Sequence, residues 1–219
     1  MLNEHDKLLI SARFWLLGLA VHDPEYFQVV SLMEKSLLHH NGLRNGGDPE
    51  FIHQLGIFHY IRKMHKQLKN PKMVYMLVFG HDMIEDPNQH TGRFVSPEEI
   101  RQEFGEEYTI KLLKMSKEIL GQKNPNYSLQ TIFEDEDCGP AKGADRVDNV
   151  STMYGVFKEA RLERYIKETA EQFIPLLKMA RRLHPHQEPV YEALKESLNT
   201  HLDYLIKLSA KSKEAPLND

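Results

Sequence analysis

"KMVYMLVF", residues 72–79, runs directly into "GHDMIEDP", residues 80–87, and the two stretches ask for opposite surroundings. The first is apolar on nearly every side and reads as a core helix. The second places His81, Asp82, Glu85 and Asp86 at i, i+1, i+4 and i+5, which on a continuing helix crowds them onto one side of its last turns. Pro87 disfavours helical geometry at Asp86, so the cluster falls at a helix C-terminus, where the macrodipole already opposes negative charge. Three carboxylates there repel one another and raise each other's pKa unless a cation neutralises them. A divalent metal resolves the conflict. For the His-Asp pair alone, a solvated acidic helix end is the plainer reading, because the dipeptide arises often by chance.

Outward from this stretch the signal stays helical. Apolar residues recur at three- and four-residue intervals in "DKLLISARFWLLGLAV", "PEYFQVVSLMEKSLLHH", "PEFIHQLGIFHYIRKMHKQL", "YTIKLLKMSKEIL", "ETAEQFIPLLKMARRL" and "VYEALKESLNTHLDYLIKL". "GRFVS" is the one short strand candidate. Gly, Pro and Asn end the helices at "HDPE", "HNGLRNGGDPE", "KNPK", "EDPNQHTG", "QKNPN", "CGP" and "HPHQEP". In "SPEE", Ser96 is an N-cap, Pro97 the first helical position and Glu99 the partner that completes a capping box. Met73, Met76, Phe79 and Trp15 read as core filling. The expected fold is all-α, a single domain over residues 1–209 with a flexible tail at 210–219.

Composition narrows the chemistry. With 219 residues, 41% hydrophobic and 27% charged, the chain can bury one sizeable core. Its single cysteine, Cys138, excludes an intramolecular disulfide and any multi-cysteine zinc cage, so a metal has to be held by nitrogen and oxygen. A net charge of −4 gives no global basic field for a nucleic-acid polymer. "FWLLGLAV" is too short to span a bilayer and no signal-peptide pattern precedes it, so a soluble, cytoplasmic protein without a membrane partner is expected.

A metal needs more ligands than one adjacent pair supplies, and in helical bundles they come from other helices. "HNGLRNGGDPEFIH", residues 40–53, puts His53 at the start of an amphipathic helix. "ADRVDN", residues 144–149, puts Asp145 early in another, beside Arg146 and Asn149. With "HDMIED" between them, these segments resemble, in order, the three motifs of the metal-dependent HD hydrolase domain of RelA/SpoT homologues, which degrades the alarmones ppGpp and pppGpp. The resemblance covers roughly residues 30–185 and is closest to the stand-alone small alarmone hydrolases.

The resemblance implies an HD-superfamily fold and, as metal ligands, His53, His81, Asp82 and Asp145. Two imidazoles and two carboxylates suit manganese, Mn2+, and tolerate iron(II) or zinc(II). It implies that Glu85 and Asp86 position and deprotonate the attacking water, and that Arg44 packs against a guanine base while Asn149 and Thr152 lie near the nucleoside. For Thr152, helix-surface solvation is an equal expectation. Lys142 is a candidate phosphate contact by proximity, and Arg146 is expected to hold Asp145 or another carboxylate. The implied reaction removes pyrophosphate from the ribose 3′ oxygen of a small nucleotide. Other readings are an HD phosphohydrolase for another phosphorylated nucleotide or cofactor, and a non-catalytic nucleotide-binding sensor. Four positions depart from the family pattern: Asn45 replaces a basic residue, "IHQ" replaces an "HP" pair at His53, Pro87 replaces a threonine, and Asp148 stands where a histidine is common.

Overall fold

Asn70 starts the decisive helix: its side chain accepts a hydrogen bond from the Met73 amide, and Pro71 occupies the first turn, where no partner for its missing N–H is needed. The computed structural model describes residues 2–44, 46–154 and 156–214, the side chains of 209–214 excepted, so Asn45 lies outside the described residues. In order, the helices are α1 (Glu4–His22), α2 (Tyr26–His39), α3 (Ile52–Ile61), α4 (Pro71–Gly80), α5 (Pro97–Phe104), α6 (Glu106–Met115), α7 (Leu129–Phe133), α8 (Cys138–Thr152), α9 (Glu159–Glu168), α10 (Ile174–Leu183) and α11 (Glu188–Glu214). A 3-10 turn (Arg62–Gln67) extends α3, and a π-helical turn (Thr169–Phe173) joins α9 to α10. The chain is therefore an all-α single domain. Among the described residues, no helix is long and apolar enough to cross a membrane.

Helix α8 lies at the centre, packed by α3, α4, α6, α7, α10 and α11. Every residue from Cys138 to Val147 is buried, including Lys142, Asp145 and Arg146. Charges so placed need partners, because an unpaired buried ion costs several kcal/mol. Helix α4 supplies an apolar wall, buried from Met73 through Gly80. Gly80 is required there: a Cβ on it would lie 1.8 Å from the Tyr108 hydroxyl, which donates to the Met76 carbonyl. The expected Ser96–Glu99 capping box is present at α5.

Several expectations need correction. Regular helix stops at Gly80, so His81 is the C-cap and residues 82–86 form successive turns instead of continuing the helix. Pro87 has no N–H to offer the Met83 carbonyl, which accepts from the Val95 amide instead, while the Ile84 carbonyl accepts from Leu120. "GRFVS" forms no strand: Gly92 has positive φ and turns the chain back on Asn88. The sheet lies elsewhere, as a hairpin of β1 (Glu118–Ile119) and β2 (Gln122–Lys123). Helix α6 accordingly ends at Met115: Asn124 takes the Leu113 and Ser116 carbonyls, and Leu120 and Gly121 turn the chain with positive φ. Trp15 is 38% exposed, its ring edge on His65 and its face under Arg62, so it is not core filling. Helix α11 runs on to Glu214, past residue 209, and residues 215–219 lie outside the described residues.

Candidate metal centre and its cavity

His81 shows most clearly what the fold does with its charged cluster. It is 3% exposed, and its Nδ1 lies 2.9 Å from the Val78 carbonyl. A carbonyl only accepts, so Nδ1 carries the ring proton and Nε2 carries a lone pair. That Nε2 is buried and makes no hydrogen bond, although Asp82 Oδ1 is 3.1 Å and Asp145 Oδ1 3.8 Å away. Burial holds the His81 pKa below the usual imidazole value against the pull of Asp82 and Asp145.

His53, at the second position of α3, is arranged the same way. Its Nδ1 bonds Asp148 Oδ2 at 2.7 Å, turning Nε2 toward Asp145 Oδ1 at 3.3 Å and Asp82 Oδ2 at 3.9 Å. Asp148 can approach because residue 56 is glycine: a Cβ there would sit 2.3 Å from Asp148 Oδ1. The two imidazole rings are 5.5 Å apart.

Asp82 and Asp145 are held from behind. Gln54 donates to Asp82 Oδ2 at 3.1 Å; Lys142 Nζ lies 3.0 Å from Asp145 Oδ2, and Asn149 donates to Asp145 Oδ1 at 2.5 Å. Burial works against ionisation of both acids, but Lys142 and the two histidines hold Asp145 well below the ordinary range, and the histidines lower Asp82. Ligands of a small divalent ion, each about 2.0–2.2 Å from it, are spaced roughly 3–3.5 Å apart. His53, His81 and Asp82 offer atoms that all lie within 4.8 Å of one another, so this group could hold a metal ion, and Asp145 Oδ1 faces both imidazole Nε2 atoms.

His53, Asp82 and Asp145 line a cavity of about 440 Å³ whose wall also includes Glu50, Glu85 and Asp86, and His81 is buried beside them. Glu85 Oε1 accepts from the Lys117 amide at 2.7 Å, and burial raises its pKa to about 7. Asp86 sits at the rim; burial and Asp82 raise it to about 6, although the residue as a whole is exposed, whereas Glu85 is partly buried.

The same cavity is also lined by cations: Lys117, Arg146 and Arg161, in addition to Lys142 beside Asp145. Burial, reinforced by the charge of Lys142, lowers the Lys117 pKa, so an anion entering here relieves repulsion already present. Arg146 pairs with Glu168 at 3.2 Å, not with Asp145, and lies over the Phe173 ring.

The expected substrate residues divide. Arg44, Lys142 and Asn149 line the cavity, although Lys142 and Asn149 use contacts to secure Asp145. Thr152 does not: its hydroxyl bonds the Asp148 carbonyl, and it lines an adjoining depression with Arg44 and Asp148. Sequence reading missed Asp148, Gln54, Lys117, Arg161 and Tyr165. In the sequence, Asp148 and the Gln54 of "IHQ" mark only departures from the family pattern. Arg161 and Tyr165, four apart on α9, share a helix face that periodicity alone does not connect to this cavity. No protein-family model and no curated protein matches the chain.

Proposed function

We propose that the chain is a metal-dependent phosphohydrolase of the HD type that removes the 3′-pyrophosphate of (p)ppGpp to give GDP or GTP. One observation carries this reading: a single cavity is lined by His53, Asp82 and Asp145, with buried His81 grouped beside them, and also by lysine and arginine. Carboxylate and imidazole suit a hard or borderline divalent ion, with Mn2+ taken from the sequence resemblance, and the cations suit a polyanionic substrate. The buried, unpartnered Nε2 of His81 is what a metal ligand needs and a structural histidine does not.

When bound, the ion supplies a water of lowered pKa and a sink for charge developing on a phosphoryl oxygen. His53 and His81 present their Nε2 lone pairs to it, each locked by the hydrogen bond at Nδ1. Asp82 and Asp145 bring the negative charge that Gln54, Lys142 and Asn149 aim. Glu85, with a pKa near neutrality, accepts the proton of the attacking water, and Asp86 at the rim orients it. Lys117 and Arg161 neutralise the phosphates and the departing pyrophosphate. Arg44 lies at the cavity edge, available to stack on a planar base.

A second phosphohydrolase reading has its own support. Asp148 Oδ2 lies 4.0 Å from Arg44 Nη1 and ties the base-side arginine to the metal-side histidine, so the cavity edge differs from the pattern the resemblance supplies. Incubating Mn2+-loaded protein with ppGpp and with a panel of 2′- and 3′-phosphorylated purine nucleotides separates the two. Release of pyrophosphate from ppGpp is the expected result. Turnover of another nucleotide with ppGpp intact overturns the alarmone assignment, and turnover of none leaves a binding protein.

A further inference from the structure

The outer face of α1 is as apolar as its inner one. Leu9, Ala12, Leu16 and Ala20 are buried against the core, whereas Ile10, Phe14, Leu17 and Val21, spaced four, three and four apart, point away from it. Phe14 is 73% and Val21 77% exposed; on the neighbouring α2, Phe27 and Leu38 are 55% and 73% exposed. No charged residue interrupts the chain from Phe14 to Val21. Taking roughly 150–250 Å² for a fully exposed large side chain, these six residues offer about 500–900 Å² of apolar surface. That matches the roughly 800 Å² per partner of a standard stable interface and exceeds what a monomer usually leaves open.

Gly18 adds a second observation. It sits inside α1, where glycine weakens a helix, yet a Cβ built on it meets nothing within 4 Å, so no packing among the described residues requires it. It is a hole one turn from Phe14, the largest exposed knob on the same face. A two-fold axis near residue 16, running two copies of α1 antiparallel, places Phe14 of each over Gly18 of the other. Knob and hole four residues apart on one helix are self-complementary only in this isologous arrangement.

We propose that the chain forms a homodimer through this face, α1 packed antiparallel on α1, with the cavity left open on each copy. Sedimentation velocity of the full chain from low to high micromolar concentration tests it. Wild type is expected at twice the chain mass. Phe14→Glu and Val21→Glu, at positions too exposed to be needed by the monomer fold, are expected to weaken self-association at least ~100-fold with unchanged circular dichroism and Mn2+ affinity. Gly18→Leu, which fills the hole, is expected to do the same. A wild-type monomer at the highest concentration overturns the proposal, as does a dimer indifferent to all three substitutions. A monomer that instead co-floats with phosphatidylglycerol–phosphatidylcholine vesicles assigns the face to a lipid surface and also overturns it.

Discussion

Removing Asp148 tests the logic of the metal centre without touching a ligand. Its 2.7 Å bond to His53 Nδ1 is the contact that aims Nε2 at Asp82 and Asp145, and both side chains are largely buried. Losing such an outer partner typically costs 10–100-fold in metal affinity, about 1.4–2.7 kcal/mol. Asp148→Ala leaves a buried ring donor without an acceptor and frees the ring to turn, so it belongs at the upper end. Asp148→Asn keeps an acceptor, and with it the tautomer, but removes the charge.

That charge acts in two directions. In the metal-free protein burial works against charging His53, yet bonds to Asp145 and Asp148 prevail and raise its pKa to about 10. A metal must therefore expel a proton from His53, and affinity increases with pH through neutrality. Asparagine at 148 makes the ligand less basic but eases loss of the proton, so its affinity falls between wild type and alanine and depends less steeply on pH. The assay is competition for Mn2+ against a chelating dye at several pH values. Equal affinities for all three proteins, or alanine binding better than asparagine, refute the reasoning.

Other expectations follow from the same contacts. Glu85→Gln should leave Mn2+ binding intact while lowering turnover of the substrate ~100-fold or more, read by metal titration and product release on one preparation; unchanged turnover removes Glu85 as the base. Gly80→Ala should lower stability by about 1–3 kcal/mol despite alanine's better helix propensity, because its Cβ would collide with the Tyr108 hydroxyl; a thermal melt at or above wild type would contradict this. Asp135 accepts from Lys111, Lys114 and the amides of Asp137 and Cys138, and these bonds outweigh burial to hold its pKa far below the usual value. Its contribution to stability is complete above pH ~4, the unfolded value, and is lost as pH falls below it. Denaturant titrations from pH 7 to 2 should show Asp135→Asn less stable at neutrality and the gap closing in acid.

What could be read from the sequence was local or ordered along the chain. The capping residues Asn70 and Ser96 act within one turn, so their helix starts were legible, as was the all-α class, because apolar periodicity is a property of each segment alone. His53, His81, Asp82 and Asp145 could be singled out because their segments follow a recognisable order. Tertiary packing decided the rest. Which nitrogen of each histidine is free depends on Val78 for His81, three residues away, and on Asp148 for His53, ninety-five residues away. Helix α4 stops at Gly80 because the next carbonyls find donors in Val95 and Leu120, and the periodicity through Leu120 gave way to a hairpin because Asn124 reaches back to α6. Gln54, Lys117 and Arg161 acquire roles only when α3, the hairpin approach and α9 meet over α8. A side chain's period along its own helix states which face it occupies; the distance to a partner on another helix is fixed only by how the helices pack.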